Sequence, residues 1–365
     1  MSLKTKKIRL KFFRLGLPVV ICCLGVLVLY GMYKKPRESS MHLFQGKTMG
    51  TFYTIRVAGD LPETEEALQD EIRALLEQAN AEISTYSSTS TLSRFNQYRG
   101  TDPQPISHGM ADLILMALRV GHLTHDAMNI TIGPLVNLWG FGPDKHMLGT
   151  IPDQTDIDRA RRNVGLQHLK LISEGRGDFL QKDLPDLYVD LSCMGEGYGT
   201  ALLSRLLDRK GIVNYLISLG NATFARGLNP AGQPWRVAIR EPTDAAVEVR
   251  DEVRLQGYDI STSGSYLNYF EKGGKRYSHI IDPATGRPID HHLVSASVIA
   301  PTPLEANAWD ISMMVLGTEK AIELAREQGL AVYLVTKTEK GFTTYMSPQF
   351  KKFLITNKQK PSKGL

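Results

Sequence analysis

The chain has 365 residues, 42% hydrophobic and 22% charged, with a formal net charge of +5. That balance belongs to an ordinary globular protein and excludes a disordered or low-complexity chain. Lys4, Lys6, Lys7, Arg9, Lys11 and Arg14 crowd the start with no acid among them; without them the remainder is close to neutral, so no basic body is left to hold a nucleic-acid backbone.

Behind this basic segment (1–14), Leu15 to Tyr33 carries no charge and is mostly Leu, Val, Ile and Cys. As a helix it would rise about 28 Å, close to the thickness of a bilayer's hydrocarbon core. Both a cleaved signal peptide and an uncleaved anchor fit. No small-x-small cleavage site is obvious after it, and Ile21 stands before Cys22 where lipidation wants a small residue, so the anchor is favoured. The flank before the span is more basic than Lys34, Lys35 and Arg37 after it, which keeps the N-terminus cytoplasmic and exports the body. Residues 34–45, with Pro36, read as a linker. Cys193 alone lies outside the span, so no internal disulfide forms and the core must supply stability.

The body, 46–357, opens with Gly46-Lys-Thr-Met-Gly, and alternating Tyr53, Ile55 and Val57 predict a strand. Pro62, Glu63, Glu65 and Glu66 open a helix carrying Leu68, Ile72, Leu75, Ala79 and Ile83. A second helix opens at Ser107 with Met110, Leu113, Ala117 and Val120. Gly133 to Pro143, with Trp139 and Phe141, reads as a buried loop. Leu187 to Leu191 reads as a strand running into Gly195-Glu-Gly-Tyr-Gly. A helix with Leu202, Leu206 and Arg209 follows and closes at Gly211. Strands are expected at Tyr215–Leu219, Trp235–Ile239, Val298–Ala300 and Ala331–Val335. Thr302-Pro303 opens a helix to about Leu316, stopped by Gly317. Residues 358–365 form a tail. Strands and helices mix without strict alternation, so the fold class is α+β, one compact body of mixed sheet and packed helices.

Three groups carry possible chemistry. The glycines 195, 197 and 199 allow a phosphate near a helix N-terminus, although the third is misplaced for a dinucleotide fingerprint and a tight turn explains the run equally well. His279 and Asp282 are candidates for acid–base work inside Ser278–Pro288, where Asp-Pro-Ala-Thr-Gly is also a good turn sequence. Asn307, Asp310 and Ile311 share one helix face. His291 and His292 are adjacent and do not share a face as metal ligands; they read as loop residues.

Taken in order, GKTMGT (46–51), ISTY (83–86), AMNITIGPLVNLWGFGP (127–143), YVDLSCMGEGY (188–198), TSGSY (262–266), SHIIDPATGRP (278–288) and 298–317 resemble the FAD:protein FMN transferase (ApbE) family from about residue 44 to 350. Each motif is weak alone; the ordered set is specific. The resemblance implies that FMN from FAD is joined through its phosphate to a threonine hydroxyl of a partner protein, with AMP released and magnesium required. The implied acceptors are exported flavoprotein subunits of sodium-pumping NADH:quinone reductase or Rnf-type complexes, and the implied location is the bacterial inner membrane with the body on the periplasmic side. It places the flavin at Met49, Tyr86, Ala127, Met128, Asn129, Asp190, Glu196 and Ile281. It places the metal at Cys193 (through its backbone carbonyl), Asn307, Asp310 and Ile311, and the base at His279. The chain departs from the family pattern at Asn129 and Asn307, where Asp is usual, at Ile311 for Thr, at Ala201 for Asp and at Gly220-Asn221 for a Gly-Gly pair. Magnesium prefers carboxylate oxygens, so a weakened metal site is expected. The alternative function is a divergent member that holds FAD or a partner without turnover.

Overall fold

The structure, a computed structural model, describes residues 39–143, 148–175, 177–243, 249–266 and 268–355. The basic segment 1–14, the apolar span 15–33 and the tail 358–365 lie outside the described residues. Among the described residues, no helix is long and apolar enough to cross a membrane.

Strands β1 (Met41–Thr48) and β2 (Thr51–Ala58) pair antiparallel through the turn Met49-Gly50. Both turn residues have positive φ, 48° and 76°, as in the type I′ turn whose twist matches a hairpin. Because β1 starts at Met41, residues 41–45 belong to the sheet and not to a linker. Six strands follow: β3 (Tyr215–Leu219), β4 (Ala222–Arg226), β5 (Tyr258–Gly264), β6 (Leu293–Ala300), β7 (Ala331–Thr338) and β8 (Gly341–Met346). The eight form one sheet in chain order, with every neighbouring pair antiparallel.

The period-two pattern decides what each face buries. Val332 and Leu334 of β7 pack into the helical side, whereas Tyr333 and Val335 pack on the opposite face. The helical side carries α1 (Glu65–Ile83), α2 (His108–Leu123), α3 (Gly195–Arg209) and α4 (Pro303–Leu316). Helix α4 lies over β5 and β6, and α3 over β3 and β4. The hairpin Trp235–Arg240/Val249–Leu255 and the short helix Pro348–Lys351 cover the other face.

Local chemistry sets the helix ends. Thr64, Ser107 and Thr302 each accept a hydrogen bond from the backbone N–H three residues on, which satisfies one of the orphan donors of a first turn. Helix α1 therefore starts at Glu65, with Pro62 outside it. Gly317 ends α4 at φ 76°.

Three expectations are corrected. The segment Gly133–Pro143 is not all loop, because Gly133–Leu138 is helical, with Pro134 in its first turn. Leu187–Leu191 is no strand: its groups bond piecemeal, Val189 N–H to Asn96 Oδ1 at 2.8 Å and Asp190 N–H to the Ile130 carbonyl at 2.8 Å. An apolar run of this length is ambiguous by periodicity alone. The glycines 195–199 are the first turns of α3 itself rather than a turn ahead of it. Gly197 is needed there, because a Cβ would stand 2.7 Å from the Pro303 carbonyl oxygen and 2.8 Å from Asn307 Cβ. The α3–α4 crossing thus depends on a missing side chain.

Candidate functional site

A cavity of about 390 Å3 lies between the α3–α4 end of the sheet and the segments 127–141 and 262–283. Tyr86, Ala127, Met128, Asn129, Asp190, Glu196 and Ile281 all line it, together with Cys193, His279, Asn307 and Ile311. Residues far apart in sequence thus converge as the ordered motifs implied. Met49, Asp282 and Asp310 are not on its wall. The Met49 sulfur packs instead against α3, where a Cβ on Gly195 would lie 3.6 Å from it. Its role is to seat the helix that carries Glu196.

Of the two acid–base candidates, only His279 lines the cavity. Its Nδ1 lies 2.9 Å from the Asn268 carbonyl oxygen. A carbonyl only accepts, so Nδ1 carries the proton and Nε2 of the neutral ring keeps its lone pair. Burial lowers the imidazole pKa below its ordinary value, against a smaller raising effect of the Asn268 bond. The ring is therefore neutral at pH 7 and able to take a proton. A ladder of rings holds it: Trp139 stacks on Tyr277, Tyr277 on Phe270, Phe270 on Phe141, and Phe141 meets His279 edge-on at 6.3 Å. The Trp139 indole N–H donates to the Gly286 carbonyl at 2.9 Å and anchors the far end. This explains what the aromatic segment 139–141 is for.

Asp282 does not join His279. Its carboxylate accepts the Ala284 N–H at 2.9 Å and its carbonyl the Gly286 N–H at 2.8 Å. The turn chemistry of Asp-Pro-Ala-Thr-Gly claims it, so Asp282 is a structural residue and its reading as a catalytic partner is corrected.

On the polar wall, Glu196 accepts the Asn221 N–H at 2.8 Å and fits beside Gly220, where a Cβ would come within 1.9 Å of its Oε1. Burial raises the Glu196 pKa, and the Asn221 bond partly offsets this. Gly220 takes the positive φ of 55°, whereas Asn221 is not among the residues with positive φ. The Gly-to-Asn departure therefore needs no left-handed tolerance. Asp190 Oδ1 accepts the Ser192 N–H at 2.9 Å and the Ser192 hydroxyl.

Of the expected magnesium ligands, Cys193, Asn307 and Ile311 line the cavity and Asp310 lies beside Asn307. The Asn307 Oδ1 accepts the Gly197 N–H at 2.9 Å, and its Nδ2 faces Asp310 Oδ1 at 3.4 Å. Its amide bridges α3 and the acid, with one lone pair of Oδ1 committed to Gly197. Ile311 offers no donor atom. Burial raises the Cys193 thiol, which stays protonated and leaves only the backbone carbonyl. Asp310 is 1% exposed and pushed up to about 7, mainly by burial, with the neighbouring polar groups of Ser261, Asn307 and Ser263 acting the other way. Of this set, only Asp310 keeps an unpartnered buried carboxylate oxygen, Oδ2. One such oxygen is short of the near-octahedral oxygen shell that magnesium demands, so no step below is routed through a metal.

Sequence reasoning missed Asp259. It is fully buried with both oxygens unpartnered, and its pKa is raised well above the usual carboxylate range, by burial first and then by Asp310 and Glu196. Ile260 packs on the hairpin face, so by strand alternation Asp259 and Ser261 point under α4, which the sequence alone does not mark. Phe141, Tyr266 and Asn268 of the cavity wall were missed as well, although the 127–143 motif contains Phe141 and TSGSY ends on Tyr266.

Eight antiparallel strands backed by crossed helices, with an aromatic and acidic cavity holding a neutral histidine, define an α+β protein built to take a ring-bearing ligand. The ApbE family model matches residues 49–334, and the chain belongs to the ApbE family. It is 50% identical over 342 residues to the FAD:protein FMN transferase of Salmonella typhimurium, covering 93% of this chain and 97% of that one. It is also 50% identical over 339 residues to that of Escherichia coli K12, covering 92% and 96%. The flavin transferase ApbE from Vibrio cholerae superposes with a TM-score of 0.79 at 37% identity, covering 87% of this chain and all of that one.

Proposed function

We propose that the chain is an FAD:protein FMN transferase that attaches FMN to a threonine hydroxyl of a partner protein and releases AMP. The observation that carries this reading is the neutral His279, held by Asn268 and the ring ladder on the wall of a cavity with Tyr86, Phe141 and Tyr266. The rings suit the two ring systems of FAD, and stacking on each is worth about 1–3 kcal/mol. In the step, the threonine oxygen bonds to the FMN-side phosphorus, the bond to the bridging oxygen breaks, and AMP leaves with that oxygen. The hydroxyl proton goes to Nε2 of His279. Transfer between phosphates relies on positioning and on neutralising charge. The N–H groups of the cavity wall are what this chain offers for that, because its magnesium ligands are largely replaced. Magnesium dependence is therefore weak in this reading.

The basic start and the charge-free 15–33 span support an inner-membrane anchor with the body on the periplasmic side, where exported flavoprotein subunits of redox complexes would be the acceptors. A second reading, a member that binds FAD without turnover, draws on the Asn307 and Ile311 departures. Release of AMP from FAD only when an acceptor is present separates the two.

A further inference from the structure

A second cavity of about 760 Å3 opens beside the first. The two share Ala127, Asn129, Pro283 and Val315 in a common wall. Their chemistry differs. The first cavity is walled by Tyr86, Phe141 and Tyr266. The second has no Phe, Tyr or Trp among its described lining residues; Leu123, Val164, Leu316 and Leu324 give it an aliphatic stretch, and Asp126, Asp282, Glu323 and Glu327 outnumber Arg161 and Lys320 around it, so its polar rim is acidic. It offers nothing on which a flavin or an adenine could stack.

The segment leading into the shared wall is strained. His125 and Asp126 have φ 50° and 66° and are both exposed at the mouth of the second cavity. Such residues persist only where their surroundings over-determine them, and they gather at functional sites. Here the Asp126 N–H donates to the Gly121 carbonyl at 2.9 Å and the Met128 N–H to Thr124 Oγ1 at 3.1 Å. Asn129 closes the wall. Its Oδ1 accepts both the Thr131 N–H at 2.9 Å and the Thr131 hydroxyl at 2.6 Å. A backbone N–H can only donate, so the orientation of the amide is fixed, and Nδ2 is the group left to offer. Its N–H donors stand where the two cavities meet and suit a phosphate oxygen there.

The transfer reaction needs two substrates. If FAD fills the aromatic cavity, the hydroxyl must arrive from a neighbouring opening. We propose that the second cavity seats an extended segment of the acceptor protein, which lays an apolar side chain over Leu324 and brings its hydroxyl past Asn129 to the flavin-side phosphate. This inference rests on the flavin-transfer reading.

The test uses the full chain with FAD. The acceptor probe is the flavin-free, flavin-carrying subunit of a sodium-pumping NADH:quinone reductase. Leu324→Arg puts a charge on the floor of the groove, and in a second variant Lys320 is replaced by the photo-crosslinker p-benzoylphenylalanine. The expected result is a KM for the acceptor raised about tenfold or more, with kcat and FAD affinity within about twofold of the parent, and a crosslink from position 320 to the acceptor. Unchanged acceptor KM without a crosslink would overturn the assignment. So would a loss of FAD affinity in Leu324→Arg, since the groove would then belong to FAD. If the parent chain neither binds FAD nor releases AMP, the flavin reading fails and the groove assignment fails with it.

Discussion

The Asn268 carbonyl oxygen stands 2.9 Å from Nδ1 of His279, and this one contact decides which nitrogen is available for chemistry. It ties the imidazole tautomer to the backbone at Asn268, so the ring is set by a carbonyl rather than by a neighbouring acid.

The first prediction concerns that base. His279→Ala should lower the transfer rate about 100-fold or more while FAD still binds, because only proton removal is lost. Burial lowers the His279 pKa from 6.5, so the ring stays neutral below that value. The acid limb of the pH–rate profile should accordingly lie below pH 6.5. Steady-state AMP release from pH 5 to 8 measures it, and a limb above 6.5 would assign it to another group.

Tyr86 is 61% exposed at the cavity mouth. Tyr86→Ala should weaken FAD binding by about 1–3 kcal/mol, the worth of a ring stacked on a base, with little change in folding stability. Flavin fluorescence quenching measures the first effect and a thermal melt the second.

At the α3–α4 crossing, the Asn307 amide bridges Gly197 N–H and Asp310. The pair Asn307→Asp with Ile311→Thr puts a carboxylate beside Asp310 and a hydroxyl on the cavity wall. It should raise magnesium affinity and transfer rate together. Calorimetric titration of magnesium into the parent and the double variant, without FAD, reads affinity apart from activity. Equal affinities would show that these positions are not ligands.

The buried acids Asp310 and Asp259 make stability depend on pH. Both have folded pKa values raised above the unfolded value, Asp310 to about 7 from 3.8. For a raised acid, the stabilisation is fully present below the unfolded pKa and is lost as pH rises through the folded one. The contribution should therefore decline from about pH 4 to above pH 7. Asp259→Asn removes a buried charge and should flatten this decline, raising the melting temperature at pH 8 more than at pH 5. Each kcal/mol gained corresponds to about 2–4 °C in a domain of this size.

Much of the molecule was legible in the sequence, and the limits have physical causes. Helices α1, α2 and α4 were readable because their caps and apolar spacing agree, as at Ser107 with Met110 and Leu113. Leu187–Leu191 misled because five apolar residues satisfy strand and buried-segment patterns alike. His279 emerged from the motif order, but its partner did not. A backbone carbonyl eleven positions away leaves no mark on sequence, whereas nearby Asp282 drew attention and proved to serve a turn. Asn307 read as a weakened ligand; only the α3–α4 crossing reveals that its oxygen also accepts the Gly197 N–H. Asp259 stayed hidden because an acid between Tyr258 and Ile260 looks like a solvent-facing strand residue until α4 is known to cover it.

Flavin transfer is tested most directly by mass spectrometry of an acceptor flavoprotein subunit after incubation with the full chain and FAD. One threonine of the acceptor should gain an FMN phosphoester, with one AMP released per attachment, and His279→Ala should slow both about 100-fold or more. An acceptor that stays unmodified while the parent chain binds FAD would contradict it and leave a flavin-holding protein without transfer.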